Sequence, residues 1–359
     1  MLELHDSANA FQVLEEYLRD HGFFGEGDDP SLRAEVYLGY GLSHELRRTM
    51  QPVPVEPCAL PLLACSLRPG MRPMATAKPF ALGEWSTTWP ASDYEAAIEL
   101  AQTAIARGDV YQVNLVQHLS APFEGDPAGL ATALAPLRPR SPRPLLGPGW
   151  AVVSASPELF LSRRGARVWT MPIKGTRSLD TTERLARSAK ERAEHTMIVD
   201  LERNDLARVC RPGTVRWPEL MVERPLAGVS HMESRVEGEL VAGLGLAEIL
   251  DATFPGGSVT GAPKISALDH IAALEPVGRG AAMGAIGTIY PNGDFDLSLT
   301  IRTFAVADGT VHLWVGGGIV ADSDPASEVE ESWVKARPLL DALASAQQRP
   351  GATRTGVAA

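Results

Sequence analysis

Two pairs of glutamates are the first residues of this sequence that could do chemistry. Glu191 and Glu194 lie three positions apart in AKERAEHTM, and Glu328 and Glu331 repeat that spacing in DPASEVEESWVKA. Residues spaced i, i+3 share one face of a helix. Two such faces turned toward each other would offer Mg²⁺ the carboxylate oxygens that it prefers. Two solvated acidic helix faces are the other interpretation, and the spacing by itself favours them.

A lysine in an apolar context is the second feature. Lys174 follows Met171, Pro172 and Ile173, and it precedes Gly175, where the backbone can approach another group closely. Lys174 is either a loop residue without a role or an amine held in a partly dry pocket.

Arg302 and a run of glycines lie on apolar segments. Arg302 interrupts the strand-like sequence LTIRTFAV, where an unpaired guanidinium would be costly. Its partner is therefore a protein carboxylate or the carboxylate of a substrate, and we weigh these evenly. Gly316, Gly317 and Gly318 weaken the strand that they end, which indicates either a bulge or backbone N–H groups lying against a ligand.

Several common chemistries are disfavoured. PGGSVTGAPK looks like a phosphate-binding loop, but Ala262 and Pro263 follow Gly261 where a Walker motif requires Lys and Ser or Thr. The sequence contains neither an HExxH zinc motif nor a GxSxG nucleophile elbow. His231 is a lone histidine, and Cys210 has no base near it in sequence, so neither indicates a nucleophile.

Composition limits the partners. The 359 residues are 45% hydrophobic and 21% charged, as in globular domains, and the formal net charge is −11. That charge argues against a nucleic-acid or anionic-membrane partner, although a small anionic substrate stays compatible with it. No apolar run of roughly 18 residues predicts a membrane span. The acidic N-terminus is unlike a secretory signal and the three cysteines have no metal spacing, so we expect a cytoplasmic protein.

The elements that must position these residues mix helices and strands without a regular βαβ order. Apolar periodicity predicts helices over 11–20, 92–107, 188–208, 242–254 and 327–344, and a further helix after the glycine loop near Pro263. Ser92 is predicted to cap the second helix and Gly108 to end it. VYQVNLVQHLSA alternates as a strand, and two strands are predicted around the Arg-Gly turn in 150–172. This order predicts an α+β fold, an irregular α/β sandwich.

Seven motifs carry a resemblance to a known family. They are SPELFL, PIKGTR, AEHTMIVDLERNDLARV, HMESRVEGEL, FPGGSVTGAPK, LTIRTF and GGGIVADSDPASEVEESWVKA, in this order over 151–340. Together they resemble the chorismate-utilising enzymes, most closely aminodeoxychorismate synthase component I. The resemblance implies two facing sheets with helices outside and an active-site cleft between them. It also implies a shortened N-terminal portion over 1–80, a catalytic domain over 81–344 and a loosely ordered tail over 345–359.

The resemblance gives Lys174 a role. PIKGT is typical of aminodeoxychorismate synthases, whereas anthranilate synthases usually carry alanine at the lysine position. It implies that Lys174 attacks C2 of chorismate and assists loss of the C4 hydroxyl, after which ammonia adds at C4. The attack needs a neutral amine, which requires desolvation or a nearby cation. Gln112 stands where isochorismate and salicylate synthases carry a water-activating lysine, so addition of water is disfavoured.

Further roles follow from the same resemblance. Glu158 would be the general acid, and His231 would lie near the ring. Glu194 and Glu331 would bind Mg²⁺ directly, with Glu191 and Glu328 beside them. The residues implied to contact the substrate are Arg302, Lys335, Gly316, Gly317, Gly318, Thr260, Gly261, Gln112 and Thr176.

The expected function is Mg²⁺-dependent amination of chorismate to 4-amino-4-deoxychorismate. The resemblance implies that a separate glutaminase subunit supplies the ammonia, and no nucleophilic cysteine in a glycine elbow is present in this sequence. Anthranilate synthase component I and 2-amino-2-deoxyisochorismate synthase are alternatives within the family. A non-catalytic, chorismate-binding regulatory subunit is the alternative from another class, and the presence of all five glutamates argues against it.

Overall fold

The computed structural model of the protein describes residues 1–25, 29–70, 79–178, 189–226 and 229–348. Its strands are β1 (Leu2–Leu4), β2 (Leu32–Leu38), β3 (Leu63–Pro69), β4 (Phe80–Leu82), β5 (Ser86–Thr87), β6 (Gln112–Gly125), β7 (Leu145–Gly147), β8 (Trp150–Ser154), β9 (Leu159–Arg164), β10 (Arg167–Met171), β11 (Ile173–Ser178), β12 (Arg216–Leu226), β13 (Val229–Glu239), β14 (Gly261–Ala262), β15 (Ala285–Ile289), β16 (Phe295–Leu299), β17 (Thr303–Ala307) and β18 (Thr310–Ile319). Its α-helices are α1 (Ala10–Asp20), α2 (Ala91–Arg107), α3 (Pro127–Leu134), α4 (Ala189–Ala207), α5 (Leu246–Thr253), α6 (Lys264–Leu274) and α7 (Pro325–Gln348).

The strands form two antiparallel sheets. The ten-stranded sheet has the order β1-β3-β2-β15-β16-β9-β10-β13-β11, with β12 paired to β13. The eight-stranded sheet has the order β14-β6-β18-β17-β8-β7, with β4 and β5 paired to β6. The chain passes from the smaller sheet to the larger one between β8 and β9, and from the larger sheet to the smaller one between β16 and β17. The α+β fold with two sheets is confirmed.

Two apolar clusters hold the sheets and helices together. The larger cluster includes residues of both sheets and packs α1, α2, α5 and α6 against them. The smaller cluster lies between the eight-stranded sheet and α3 and α7, with Leu130, Phe304 and Leu339 among its buried side chains. Burial of such side chains is the main favourable contribution to folding.

The first 80 residues extend the larger sheet. β2 pairs with β15 over five positions, from Ala34 opposite Ile289 to Leu38 opposite Ala285. β1 and β3 continue the sheet beyond β2. The division of the chain at residue 80 stays a prediction, and of the tail only the end of α7, as far as Gln348, belongs to the described residues.

Local predictions were confirmed for most elements, and the differences are the following. α2 ends at Gly108, which has the predicted left-handed conformation, but it begins at Ala91 after Pro90, and Ser92 lies inside its first turn without capping it. The stretch from 150 to 172 contains three strands: β9 and β10 flank the predicted Arg-Gly turn in the larger sheet, and β8 belongs to the smaller sheet. The last helix is expected from its sequence to be interrupted or kinked at Pro338, and in the structure α7 continues through that residue. None of the helices in the described residues is both long and apolar enough to span a bilayer.

Candidate active site

Lys174 and Gly318 mark the place where the two sheets meet. Lys174 lies on β11 of the larger sheet, and Gly318 lies on β18 of the smaller one. A Cβ atom built at Gly318 would stand 3.0 Å from Lys174 Nζ and 2.7 Å from Gln112 Nε2. The absence of a side chain at Gly318 therefore lets both polar groups approach the strand. The side chain of Lys174 is only 16% exposed.

Glu194 on α4 is the anionic partner of Lys174. Its Oε2 lies 3.2 Å from Lys174 Nζ. A bulge in the β11–β13 pairing follows Lys174, and Gly175 there has a φ of +70°, a conformation that favours glycine. After the bulge, Thr176 pairs with His231 in the ladder, so β13 brings His231 next to the segment that carries the lysine.

Gln112 places an unsatisfied amide beside the lysine. Its side chain is fully buried at the start of β6, and among the described residues neither Oε1 nor Nε2 has a hydrogen-bond partner. Buried amides are normally hydrogen-bonded, because an unpaired one loses its bonds to water without compensation. An amide with both ends unsatisfied, next to an amine, is suited to hold a polar ligand.

Glu158 lies buried immediately before β9. Burial raises the pKa of Glu158 to about 7, although four interactions oppose the rise: a hydrogen bond from Ser258, one from the backbone of Ile173, and the charges of Lys174 and Arg302. Ser258 Oγ donates to Glu158 Oε1 at 2.9 Å. A carboxyl group with this pKa is partly protonated at neutral pH and can serve as an acid.

Arg302 lies between β16 and β17 with a φ of +51°, in the left-handed region. Within the described part of the chain, its guanidinium makes no hydrogen bond or ion pair with a carboxylate, and burial lowers its pKa while Glu158 raises it. Of the two partners considered from the sequence, these contacts favour a bound anion. Burial, together with the charge of Arg302, lowers the pKa of His231 to about 4, so that ring is neutral at pH 7.

Two glutamates and a lysine of α7 lie against the other face of β18. A Cβ atom at Gly317 would stand 3.3 Å from Lys335 Nζ, 3.4 Å from Glu328 Oε2 and 3.6 Å from Glu331 Oε1, all from α7. Lys335 Nζ lies 2.7 Å from Glu331 Oε1 and donates to the carbonyl oxygen of Gly316 at 2.8 Å. Neighbouring glycines of one strand therefore face two sets of charged side chains.

Four glutamates offer oxygen atoms of the kind that bind Mg²⁺. Glu328 and Glu331 bring carboxylate oxygens to one glycine, Glu194 lies beside Lys174, and Glu191 lies one turn before Glu194 on α4. These oxygen donors are of the type that Mg²⁺ uses. Across the residues that the structure describes, however, no three acidic, histidine or cysteine side chains converge as a ready metal site. The donor chemistry fits the ion, and the four-glutamate cage stays a prediction.

The glycine loop before α6 lies against β6. Thr260 is buried, its hydroxyl donates to the carbonyl oxygen of Gly256 at 2.9 Å, and its own carbonyl oxygen accepts from Asn114 N at 2.9 Å. Gly261 has a φ of +141°, and a Cβ atom there would stand 2.3 Å from the carbonyl oxygen of Gln112. The loop needs glycine at this position to pair with β6.

Three residues near the site were not singled out from the sequence. Ser258 donates to Glu158, as described above. Glu202 on α4 accepts from Gly257 N at 3.2 Å, and burial together with the charge of Asp205 raises its pKa to about 8. Arg140 contacts the segment before Glu158. Ser258 could have been recognised from the sequence, because it is a polar residue directly after Gly256 and Gly257. Glu202 and Arg140 could not, because their contacts are with residues distant in sequence.

Comparison with known proteins identifies the family of the chain. The family model for "chorismate binding enzyme" matches residues 60–341. The chain therefore belongs to the chorismate-binding enzyme family.

Individual relatives divide between two activities. The chain is 40% identical over 291 residues to anthranilate synthase component 1 of Streptomyces coelicolor, covering 77% of this chain and 56% of that protein. It is 42% identical over 271 residues to aminodeoxychorismate synthase component 1 of Klebsiella aerogenes, covering 73% and 60%. The chain thus spans less than two thirds of these relatives. The crystal structure of anthranilate synthase component I from Streptococcus pneumoniae superposes with a TM-score of 0.79 at 24% identity, over 90% of this chain and 84% of that one, which shows a shared fold.

Proposed function

We propose that the protein aminates chorismate to 4-amino-4-deoxychorismate, the reaction of aminodeoxychorismate synthase component I. The observation that carries the proposal is the position of Lys174, whose amine lies between the sheets beside Gly318 and the unsatisfied amide of Gln112. An amine in that place can act as a nucleophile toward a ring bound between the sheets. The family's anthranilate synthases usually have no amine there.

The chain's own residues would divide the chemistry as follows. The neutral amine of Lys174 bonds to C2 of chorismate, the ring double bonds shift, and the C4 hydroxyl leaves as water with a proton from Glu158. Ammonia then bonds to C4 and gives up one proton that returns to Glu158, the shift reverses, and the C2–N bond breaks to return the amine of Lys174. The net change is chorismate plus ammonia to aminodeoxychorismate plus water. Arg302, whose guanidinium makes no hydrogen bond or ion pair with a carboxylate of the described residues, would hold a substrate carboxylate.

Glu194 links the amine of Lys174 to the glutamates proposed to bind Mg²⁺, because Glu194 is one of them and contacts the amine. Lys174 must leave its 3.2 Å contact with Glu194 before it can attack. Glu194 and Glu331, with Glu191 and Glu328 beside them, would hold Mg²⁺. When bound, the ion would supply positive charge for the substrate's ring carboxylate. Lys335, the backbone of Gly316–Gly318, and the loop residues Thr260 and Gly261 would complete the binding surface, and His231 and Thr176 would lie on the β11–β13 side.

Product identification tests the proposal. The purified chain is incubated with chorismate, MgCl₂ and ammonium chloride, and the products are separated and identified by mass spectrometry. We expect a product that aminodeoxychorismate lyase converts to p-aminobenzoate. Anthranilate or 2-amino-2-deoxyisochorismate as the main product would reassign the chain within the family, and binding of chorismate without turnover would indicate a regulatory role.

The Lys174→Ala variant provides the matched comparison. We expect it to lose at least about 1,000-fold in kcat, because the variant lacks the amine proposed to bond to C2. Turnover to the same product at the wild-type rate would remove the nucleophilic role of Lys174. Ammonium replaces the separate glutaminase subunit in these assays, and adding a glutaminase component with glutamine would test that partnership.

A further inference from the structure

Arg140 contacts the backbone that carries the proposed general acid. It lies in the proline-rich connector between α3 and β7. Its backbone N–H donates to the carbonyl oxygen of Ser156 at 2.9 Å, and its Nε donates to the carbonyl oxygen of Pro157 at 2.7 Å. These two carbonyls belong to the residues immediately before Glu158.

The segment before Glu158 lies outside the strands, and its other hydrogen bonds include those from Ala155 N–H to the carbonyl oxygen of Arg302 and from Glu158 N–H to Ser156 Oγ. Residues 155–158 link β8 of the smaller sheet to β9 of the larger one. Pro157 has no N–H, so its carbonyl oxygen is the only backbone group through which it can be hydrogen-bonded. Arg140 therefore supplies the bond that a strand ladder would supply elsewhere.

The same guanidinium reaches the strands around Lys174. Its Nη2 lies 3.8 Å from Glu233 Oε2 and 4.0 Å from Met171 Sδ. Glu233 stands opposite Ile173 in the β11–β13 ladder, and Met171 ends β10. One side chain thus contacts the segment that leads to the acid, the strand β13 that pairs with the lysine's strand, and the end of β10, which precedes that strand in the chain.

We propose that Arg140 is a positioning residue that fixes the Glu158 segment relative to the strand of Lys174. The inference rests on the proposed function. Proton transfer to the departing hydroxyl requires the acid within hydrogen-bond reach of its target, and a displacement of about 1 Å costs up to about 100-fold in rate. Arg140 acts through the carbonyls of Ser156 and Pro157 and does not touch the substrate.

The test compares three variants. Arg140→Met removes the Nε donor, and Arg140→Lys keeps the charge toward Glu233 but cannot reproduce the Nε–H bond to Pro157. Arg143→Met is the control from the same connector, because Arg143 points to Glu35 of β2, 3.9 Å away. We expect kcat to fall about tenfold in both Arg140 variants with KM within twofold, millimolar guanidinium to restore part of the Arg140→Met rate, and Arg143→Met to stay within twofold of wild type.

Hydrogen exchange provides a readout that needs no turnover. We expect peptides covering 153–162 to exchange faster in Arg140→Met and unchanged in Arg143→Met, even if the wild-type chain aminates no chorismate, in which case only the proposed function fails. Wild-type kcat and exchange in both Arg140 variants would overturn the proposal. Faster exchange throughout both sheets would also overturn it, because Arg140 would then serve general stability.

Discussion

Alanine at position 318 would test how closely the two sheets must approach. The new methyl carbon would stand 2.7 Å from Gln112 Nε2 and 3.0 Å from Lys174 Nζ, whereas such atoms ordinarily stay about 3.5 Å or more apart. Both neighbours are ends of long side chains, and the backbone of Gly318 is not left-handed, so the fold can accept the methyl group. Lys174 and Gln112 must each withdraw by about half an ångström or slightly more.

The expected cost follows from that displacement. If about 1 Å of misplacement costs roughly 100-fold in rate, half of it costs about tenfold, or about 1.4 kcal/mol in the activation free energy. The assay is the rate of chorismate consumption at saturating Mg²⁺ and ammonium, with thermal unfolding measured in parallel. We expect the melting temperature of Gly318→Ala to stay within about 2 °C of wild type.

Gly317→Ala is the informative comparison. Its methyl group would face Lys335, Glu328 and Glu331 at 3.3 to 3.6 Å, which requires only small adjustments. We expect this variant to raise the Mg²⁺ concentration needed for half-maximal activity while kcat at saturating Mg²⁺ falls less than in Gly318→Ala. If Gly318→Ala keeps kcat within twofold of wild type, the positions of Lys174 and Gln112 against this strand do not control the rate.

Three further predictions concern ionisation and buried charge. Because burial raises the pKa of Glu158 to about 7, kcat/KM should fall about tenfold per pH unit above that value, and a flat profile to pH 8.5 would exclude it as the acid. Burial and the neighbouring His312 lower the pKa of His118 from 6.5 to about 3. Below pH 6.5 the unfolded state then binds more protons than the folded state, so the free energy of unfolding decreases as the pH is lowered. From pH 6.5 to 5, the free energy of unfolding in urea should fall by about 1.5 kcal/mol more in wild type than in His118→Gln; equal pH slopes would contradict this. Arg279→Met should destabilise the fold by about 3–5 kcal/mol, measured by urea unfolding, because it leaves Glu275, now 2.7 Å from the guanidinium, buried without its cation. A loss under about 1 kcal/mol would show that Glu275 can protonate at little cost.

Local patterns in the sequence predicted the elements better than the contacts between them. The helix over 92–107 follows from apolar periodicity and a terminal glycine, and both were confirmed. The cap was wrong because the helix begins at Ala91, with Pro90 as its N-cap, so that Ser92 already lies inside the first turn. The pairing of β9 with β16, more than 130 residues apart in sequence, has no local signature.

The site shows the same division. The glutamate spacing and the glycines are visible in the sequence. The spacing could not distinguish an exposed acidic helix face from one that packs, together with Lys335, against Gly317. Arg302 could be recognised as unusual, whereas its lack of a carboxylate partner among the described residues is a property of the folded chain. Arg140 lies in a connector whose composition indicates only turns, so its contact with Pro157 could not be predicted.

The pairing of β2 with β15 has a consequence for any shortened form of this chain. β15 has the sequence AIGTI, and four of its five residues are buried between β2 and β16. A chain that starts after β3 would leave one side of β15 with unsatisfied N–H and C=O groups next to apolar side chains. Such an exposed strand is a template for aggregation. The N-terminal strands thus protect the larger sheet from association with other chains, whatever else they contribute.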